Sequence, residues 1–279
     1  MSMQLKASRD DLEALNKELE LRVSESTAEL KNRYQELQHT YAELKSLDTA
    51  KDDFLSMVSH EFRTPLGSIQ IFSEMLLKGL DTSEVKRADF LTTIINNCRR
   101  LTRLINDVLD LSKIEAGRMQ FNYESYDLIE VVKETLFSLR PNFENRHILC
   151  SCSFPEGEIA IHSDKDRIIQ VLTNILSNSI KFSPEKGKIV VRISPKPGSV
   201  EISIQDSGKG IRKEDIPKVF DKFTQFESIT RDSVGSGLGM SISKLLVEHL
   251  GGKIWIESGL GTGTTVFFSL PLSGSWSES

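Results

Sequence analysis

This chain of 279 residues is short of several things, and each shortage closes off a class of protein. No apolar run approaches the about 18 consecutive residues that cross a bilayer, and no secretory leader opens the chain. A basic excess is missing too. Lys and Arg number 35 against 40 Asp and Glu, a formal net charge of -5, which argues against a nucleic-acid partner because phosphate backbones need a basic face. Cysteine is scarce: Cys98, Cys150 and Cys152 make no metal quartet, and their odd count without a leader predicts reduced, buried thiols. Cys150-Ser-Cys152 reads as alternate residues of a strand facing one core, with a redox pair as the alternative. These features predict a cytoplasmic chain without membrane contact of its own, standing alone or as the cytoplasmic part of a longer membrane-anchored protein. The opening Met1-Ser-Met-Gln reads as an artificial start, which predicts native sequence upstream.

Glycine and proline are both absent from about Leu5 to Lys45, where Glu, Leu, Lys and Ala dominate. Leu30, Tyr34, Leu37, Tyr41 and Leu44 alternate spacings of four and three, the seam of a parallel coiled coil. Leu12, Leu15 and Leu19 begin a similar seam in another phase, which predicts a register break near Arg22–Thr27. A single helix lying on the body of the protein is the alternative, but so narrow an apolar strip suits a dimer better.

What the chain does have centres on Ser59-His60-Glu61-Phe-Arg-Thr64-Pro65-Leu66. At about 100° per residue, Leu55, Val58, Phe62, Pro65, Ile69, Phe72 and Leu76 form one apolar stripe. His60 falls roughly opposite its middle and is expected in water, with Thr64 one turn on and Glu61 beside it. Pro65 cannot donate to the Glu61 carbonyl, which predicts a bend there. The helix is expected from about Asp52 to Lys78. Gly79–Ser83 then breaks it, with Thr82 or Ser83 capping the next helix. There Phe90, Ile94, Asn97, Leu101, Leu104, Val108 and Leu111 form a second seam. A hairpin with two seams and no partner in the chain to cover both predicts a homodimeric four-helix bundle. Gly117 ends it.

Beyond Gly117 short β-type runs (Met119–Tyr126, His147–Phe154, Gly187–Ser194, Val200–Gln205, Lys253–Glu257, Thr264–Leu270) alternate with helical ones (Asp127–Leu139, Asp164–Lys181, Met240–Leu250). That pattern predicts an α+β sandwich with helices on one face of a mixed sheet. The predicted organisation is therefore α + (α+β): a coiled coil over 1–48, a helical hairpin over 49–117, an α/β sandwich over 118–272 and a loose tail over 273–279.

Three constellations in the sandwich point to one ligand. Asn174, Asn178 and Lys181 share a helix face opposite Ile168, Leu172, Ile175, Leu176 and Ile180. Amide oxygens suit Mg²⁺ when phosphates supply the charge, and the lysine suits a phosphate. In Ile204-Gln-Asp206-Ser-Gly208-Lys-Gly210, a strand delivers a carboxylate to a turn where the backbone can approach a ligand, and a buried aspartate there can accept from an exocyclic amine. Gly235-Ser-Gly237-Leu-Gly239 leads into a helix, exposing backbone N–H groups to phosphate. A dinucleotide-binding reading of these glycines fails because no first β-strand precedes them. The segment of about Arg212–Val234 has the length of a lid.

In this order the sites resemble the ATP-binding domain of sensor histidine kinases, and the His60 stretch resembles their phosphoacceptor box; together the likeness covers roughly residues 50–271. It implies that Asn178 and Asn174 hold Mg²⁺, that Lys181 meets phosphate and that Asp206 takes the adenine amino group. Phe182 would lie beside the base, Gly208 and Gly210 would shape its pocket, and Gly235, Gly237 and Gly239 would let the lid close. Lys222 and Arg231 are both candidates for the γ-phosphate. In ATP-hydrolysing relatives a glutamate stands four residues before the metal asparagine; here it is Asn174, so water lacks a strong base. His60 is then the expected nucleophile, Glu61 orients its ring, and a response-regulator receiver domain is the expected partner. Glu61-x-x-Thr64 resembles the motif through which such kinases also dephosphorylate their regulator. A nucleotide-binding scaffold and an ATP-hydrolysing clamp are the rival readings.

Overall fold

The computed structural model describes residues 2–79, 83–224 and 237–272; Thr82, Arg231, Gly235 and the 273–279 tail lie outside them. The side chains of Leu12 and Leu15 also lie outside the described set. The chain divides into two units, residues 1–60 and 61–279.

Helix α1 runs from Ser2 to Leu77. The expected boundary between 48 and 49 therefore falls inside one continuous helix, as the absence of Gly and Pro before Pro65 permits. Pro65 lies within α1 and is buried. The predicted coiled-coil seam is fully on the surface of the single chain: Leu30, Tyr34, Leu37, Tyr41 and Leu44 are all exposed.

Helix α2 covers Glu84–Glu115, and the Ser83 side chain caps it by accepting from Lys86 N. Its end is a Schellman turn: Gly117 (φ 62°) donates to Ile114 O at 3.0 Å and Arg118 to Lys113 O at 2.8 Å. The hairpin closes through the predicted stripes, with Phe72 against Phe90 at 5.2 Å between ring centroids and Leu104 and Leu111 buried.

The sandwich follows as β1 (Tyr123–Asp127), α3 (Leu128–Ser138), α4 (Arg140–Asn145), β2 (Leu149–Ser153), β3 (Ala160–Asp164), α5 (Lys165–Phe182), β4 (Lys188–Lys196), β5 (Ser199–Asp206), α6 (Gly239–His249), β6 (Lys253–Gly259) and β7 (Gly263–Pro271). Five strands form one mixed sheet in the order β2-β4-β5-β7-β6, parallel only between β2 and β4. Alternation sets its inner face: Ile189, Val191 and Ile193, then Val200, Ile202 and Ile204, then Val266, Phe268 and Leu270 are buried. Helix α5 lies against β5, and α6 against β6 and β7.

Two elements escaped the sequence reading. Strand β3 pairs β1 in a separate two-stranded sheet, and α4 is one short helix opened by Pro141. The cysteines correct an expectation: all three are exposed. Strand β2 stands at the end of the sheet with no buried side chain on either face, so the alternation at Cys150 and Cys152 has no covered face to turn to.

Candidate nucleotide site and phosphoacceptor helix

Helix α5 is positioned at both ends. Asp164 Oδ1 accepts from Arg167 N at 3.1 Å, capping the first turn, while Oδ2 accepts from Asn122 N at 2.9 Å. At the far end Arg146 donates to the carbonyls of Ile180, Lys181 and Ser183 at 2.8, 2.7 and 3.2 Å. Arg146 thus ties down the turn that carries Lys181, a role its sequence position does not announce.

Between these ends the predicted faces separate. Ile168, Leu172, Ile175, Leu176 and Ile180 are buried, and Asn174, Asn178 and Lys181 are half-buried on the other side. Asn174 Nδ2 donates to Gly239 O at 3.3 Å and to Ser243 Oγ at 3.4 Å, which joins α5 to the start of α6. Lys181 Nζ lies 4.7 Å from the Phe182 ring centroid and Lys209 Nζ 5.9 Å from it. The Lys181 ammonium is pushed down from its ordinary pKa by burial first, then by the charges of Arg100 and Lys209. An anion would relieve that crowding.

Asp206 ends β5 and is buried, 7% exposed. Its Oδ1 accepts from Gly208 N at 2.8 Å and Thr264 N at 3.2 Å. Burial still dominates and raises the carboxyl above its usual range. Among the described residues Oδ2 receives no hydrogen bond. Thr264 stands opposite Asp206 in the β5–β7 register, and this pairing is how a residue 58 positions away enters the site.

The glycines divide by what demands them. Gly210 (φ +72°) sits where a Cβ would fall 1.9 Å from Gly259 O, so the β6–β7 turn requires it. At Gly237 (φ +69°) a Cβ would fall 2.7 Å from the Phe223 Cα, and Phe223 N donates to Gly237 O at 2.9 Å. Gly237 therefore lets the two described ends of the lid segment meet. Gly208 lies against Asp206 Oδ1 and Phe182 O, and Gly239 meets only ordinary contacts at Asn174. Lys222 is ion-paired with Glu115 at the end of α2. Arg231 and Gly235 lie outside the described residues.

On the helices, His60 and Thr64 are exposed, as expected. Glu61 Oε2 is held by Arg100 NH2 of α2 at 3.0 Å. Further along α2, Asp110 Oδ2 meets Gln170 Nε2 at 2.9 Å and Arg167 NH1 at 3.4 Å at the start of α5.

A turn-bounded buried carboxylate and an amide-and-lysine helix face fit a nucleotide. Residues 163–274 match the histidine kinase-, DNA gyrase B- and HSP90-like ATPases, and residues 50–117 match the His Kinase A (phospho-acceptor) domain. That succession defines the catalytic region of a sensor histidine kinase, and the chain belongs to this family. It is 35% identical over 232 residues to the sensor histidine kinase WalK of Bacillus subtilis, covering 82% of this chain and 38% of that protein. It is 38% identical over 236 residues to the drug sensory protein A of Synechocystis, covering 80% of this chain and 35% of that one. A crystal structure of the histidine kinase ThkA in complex with the response regulator protein TrrA matches with a TM-score of 0.63 and 25% identity, over 79% of this chain and 61% of that one. The chain thus spans well under half the length of either curated relative. Among the described residues no helix is long and apolar enough to cross a membrane.

Proposed function

We propose that the chain is an ATP-dependent protein-histidine kinase that phosphorylates its own His60 and passes the phosphoryl group to an aspartate of a response-regulator receiver domain. The observation that carries this reading is the coexistence of an exposed histidine in a phosphoacceptor helix with a nucleotide fold that has Asn174 where a hydrolytic base would stand. Asp206 Oδ2 accepts the amino group of the adenine, beside Phe182, Gly208 and Gly210. Asn178, with Asn174, offers neutral oxygens to Mg²⁺, and Lys181 faces the phosphates. Gly235, Gly237 and Gly239 let the lid segment close, with Lys222 or Arg231 reaching the γ-phosphate.

When bound, Mg-ATP supplies the phosphoryl group and its leaving oxygen. One nitrogen of the neutral His60 ring attacks phosphorus, and Glu61 takes the proton from the other. The relative ThkA, crystallised with a response regulator, supports the choice of partner. The uncovered seams of α1 and α2 support a homodimer, and the division into 1–48, 49–117, 118–272 and 273–279 follows these roles. Thr64, exposed one turn beyond His60, would hold a water in line with the regulator's phosphoaspartate, so that the same helix also removes the phosphate. We place the chain in the cytoplasm, on its own or as part of a longer membrane-anchored protein.

Incubation with γ-labelled ATP and Mg²⁺ tests the reading. Acid-labile, base-stable label on the chain is expected; sustained phosphate release without labelled protein would replace the kinase with a hydrolytic clamp, and nucleotide binding with neither would leave a scaffold. Adding a receiver domain to the labelled chain tests the transfer and its reversal.

A further inference from the structure

Arg100 belongs to the hairpin, yet its charge reaches Lys181 in the nucleotide site. Its NH2 pairs with Glu61 Oε2 at 3.0 Å, and the two side chains are only 25% and 17% exposed. Its Nε is buried and has no acceptor among the described residues. A donor withdrawn from water without an acceptor is costly to keep, so an acceptor that reaches Arg100 is favoured. Arg100 is also close enough to Lys181 for its charge to press on that ammonium, as does that of Lys209. Further along α2, Asp110 meets Gln170 and Arg167, which ties α2 to α5. Three cations thus gather around a site where one carboxylate, Glu61, answers Arg100.

We infer that Arg100 is a γ-phosphate ligand that the hairpin contributes to the nucleotide site, and that it exchanges the Glu61 carboxylate for that phosphate when ATP is bound. This rests on the proposed kinase function and adds a residue and an order of events to it. The guanidinium fork suits the exchange, since it matches phosphate oxygens two at a time and keeps its charge at any working pH. The exchange also frees the Glu61 carboxylate, whose Oε2 the guanidinium otherwise occupies, to accept a hydrogen bond from the neighbouring ring. The bond from a His60 nitrogen to phosphorus then forms as the bond from phosphorus to the β–γ bridging oxygen breaks, ADP keeps that electron pair, and the proton on the other ring nitrogen goes to Glu61.

The test compares ADP with a non-hydrolysable ATP analogue, both with Mg²⁺, binding to the wild-type chain, Arg100→Met and Glu61→Gln. A melting curve on each variant confirms folding. Arg100→Met is expected to weaken the analogue about tenfold while ADP changes less than about twofold, because only the analogue carries a γ-phosphate. Glu61→Gln, by releasing Arg100, is expected to tighten the analogue about threefold and leave ADP unchanged. A structural role for Arg100 would weaken both nucleotides together, and that result overturns the assignment, as does no change in either. Unaltered or weaker analogue binding in Glu61→Gln overturns the exchange. Wild-type chain that binds neither nucleotide removes the kinase reading itself, whereas normal wild-type binding and labelling with an indifferent Arg100→Met removes Arg100 alone.

Discussion

In α5, Ile168, Leu172, Ile175 and Leu176 have no exposed surface, whereas in α2 Leu91, Ile95, Ile105 and Leu109 are 51%, 48%, 43% and 51% exposed. Both helices are amphipathic and both carry functional side chains on a polar face. The sandwich finds within the chain everything that covers its apolar residues, because a sheet face and two further helices converge on α5. The hairpin buries one seam internally and leaves Leu91, Ile95, Ile105 and Leu109 exposed, and α1 leaves Leu30, Tyr34, Leu37, Tyr41 and Leu44 exposed. A protein of one chain does not keep such seams in water without a use for them. The difference fits different tasks for the two regions: a self-sufficient body for the sandwich and, as proposed, one half of a homodimer for the helices.

The largest effect expected from this contrast lies in the sandwich core. Leu172→Ala should cost the sandwich about 2–5 kcal/mol in chemical denaturation, and leave the dimerisation constant of the folded chain unchanged. Next comes the outer seam. Replacing Ile95 and Ile105 together by aspartate should weaken the dimer at least about a hundredfold in sedimentation, ~2.7 kcal/mol, while nucleotide affinity stays within about twofold. A dimer that survives this change would break the comparison, because the exposed seam would then have no partner.

A smaller effect sharpens the contrast from the ligand side. Asn178→Asp adds a negative charge among the phosphates and should lower autophosphorylation about tenfold, ~1.4 kcal/mol, without altering the dimer. An unaltered rate at limiting Mg²⁺ would remove Asn178 from the metal. The smallest is a pH dependence. Burial raises the Asp206 carboxyl, so its protonated form is the one the fold favours, and its contribution to stability is lost as pH rises through the raised pKa. Adenine binding through Asp206, as proposed above, needs the ionised form and runs the other way. Affinity should fall with pH at values where an ordinary aspartate is still fully ionised, and Asp206→Asn should flatten the profile.

Sequence periodicity made the hairpin seams, helix α5 and most of the large sheet legible, since each is a local pattern that its own residues carry. The box around His60 and the turn at Asp206 were legible instead through their resemblance to family motifs, since a lone histidine or a glycine-rich turn carries little by itself. What was missed depends on distant partners. Arg100 pairs with Glu61 39 positions back, Asp110 meets Arg167 57 positions on, and Lys222 finds Glu115 107 positions before it. No periodicity encodes such pairs. Strand β3 was lost because Ala160–Asp164 is short and mostly polar, and its pairing with β1 lies outside the main sheet. The cysteines were misjudged because alternation in β2 says which residues share a face but not that the strand stands at a sheet edge.

On the proposed function, the sandwich serves to place a phosphoryl group on one exposed histidine of the helices. Locating the phosphoryl group on the Mg-ATP-treated chain by mass spectrometry of its proteolytic fragments at neutral pH tests it most directly. Phosphate is predicted on the fragment containing His60 and nowhere in the Asn178→Asp or His60→Gln chains at comparable yield; phosphate on another residue, or labelling that persists in His60→Gln, would contradict it.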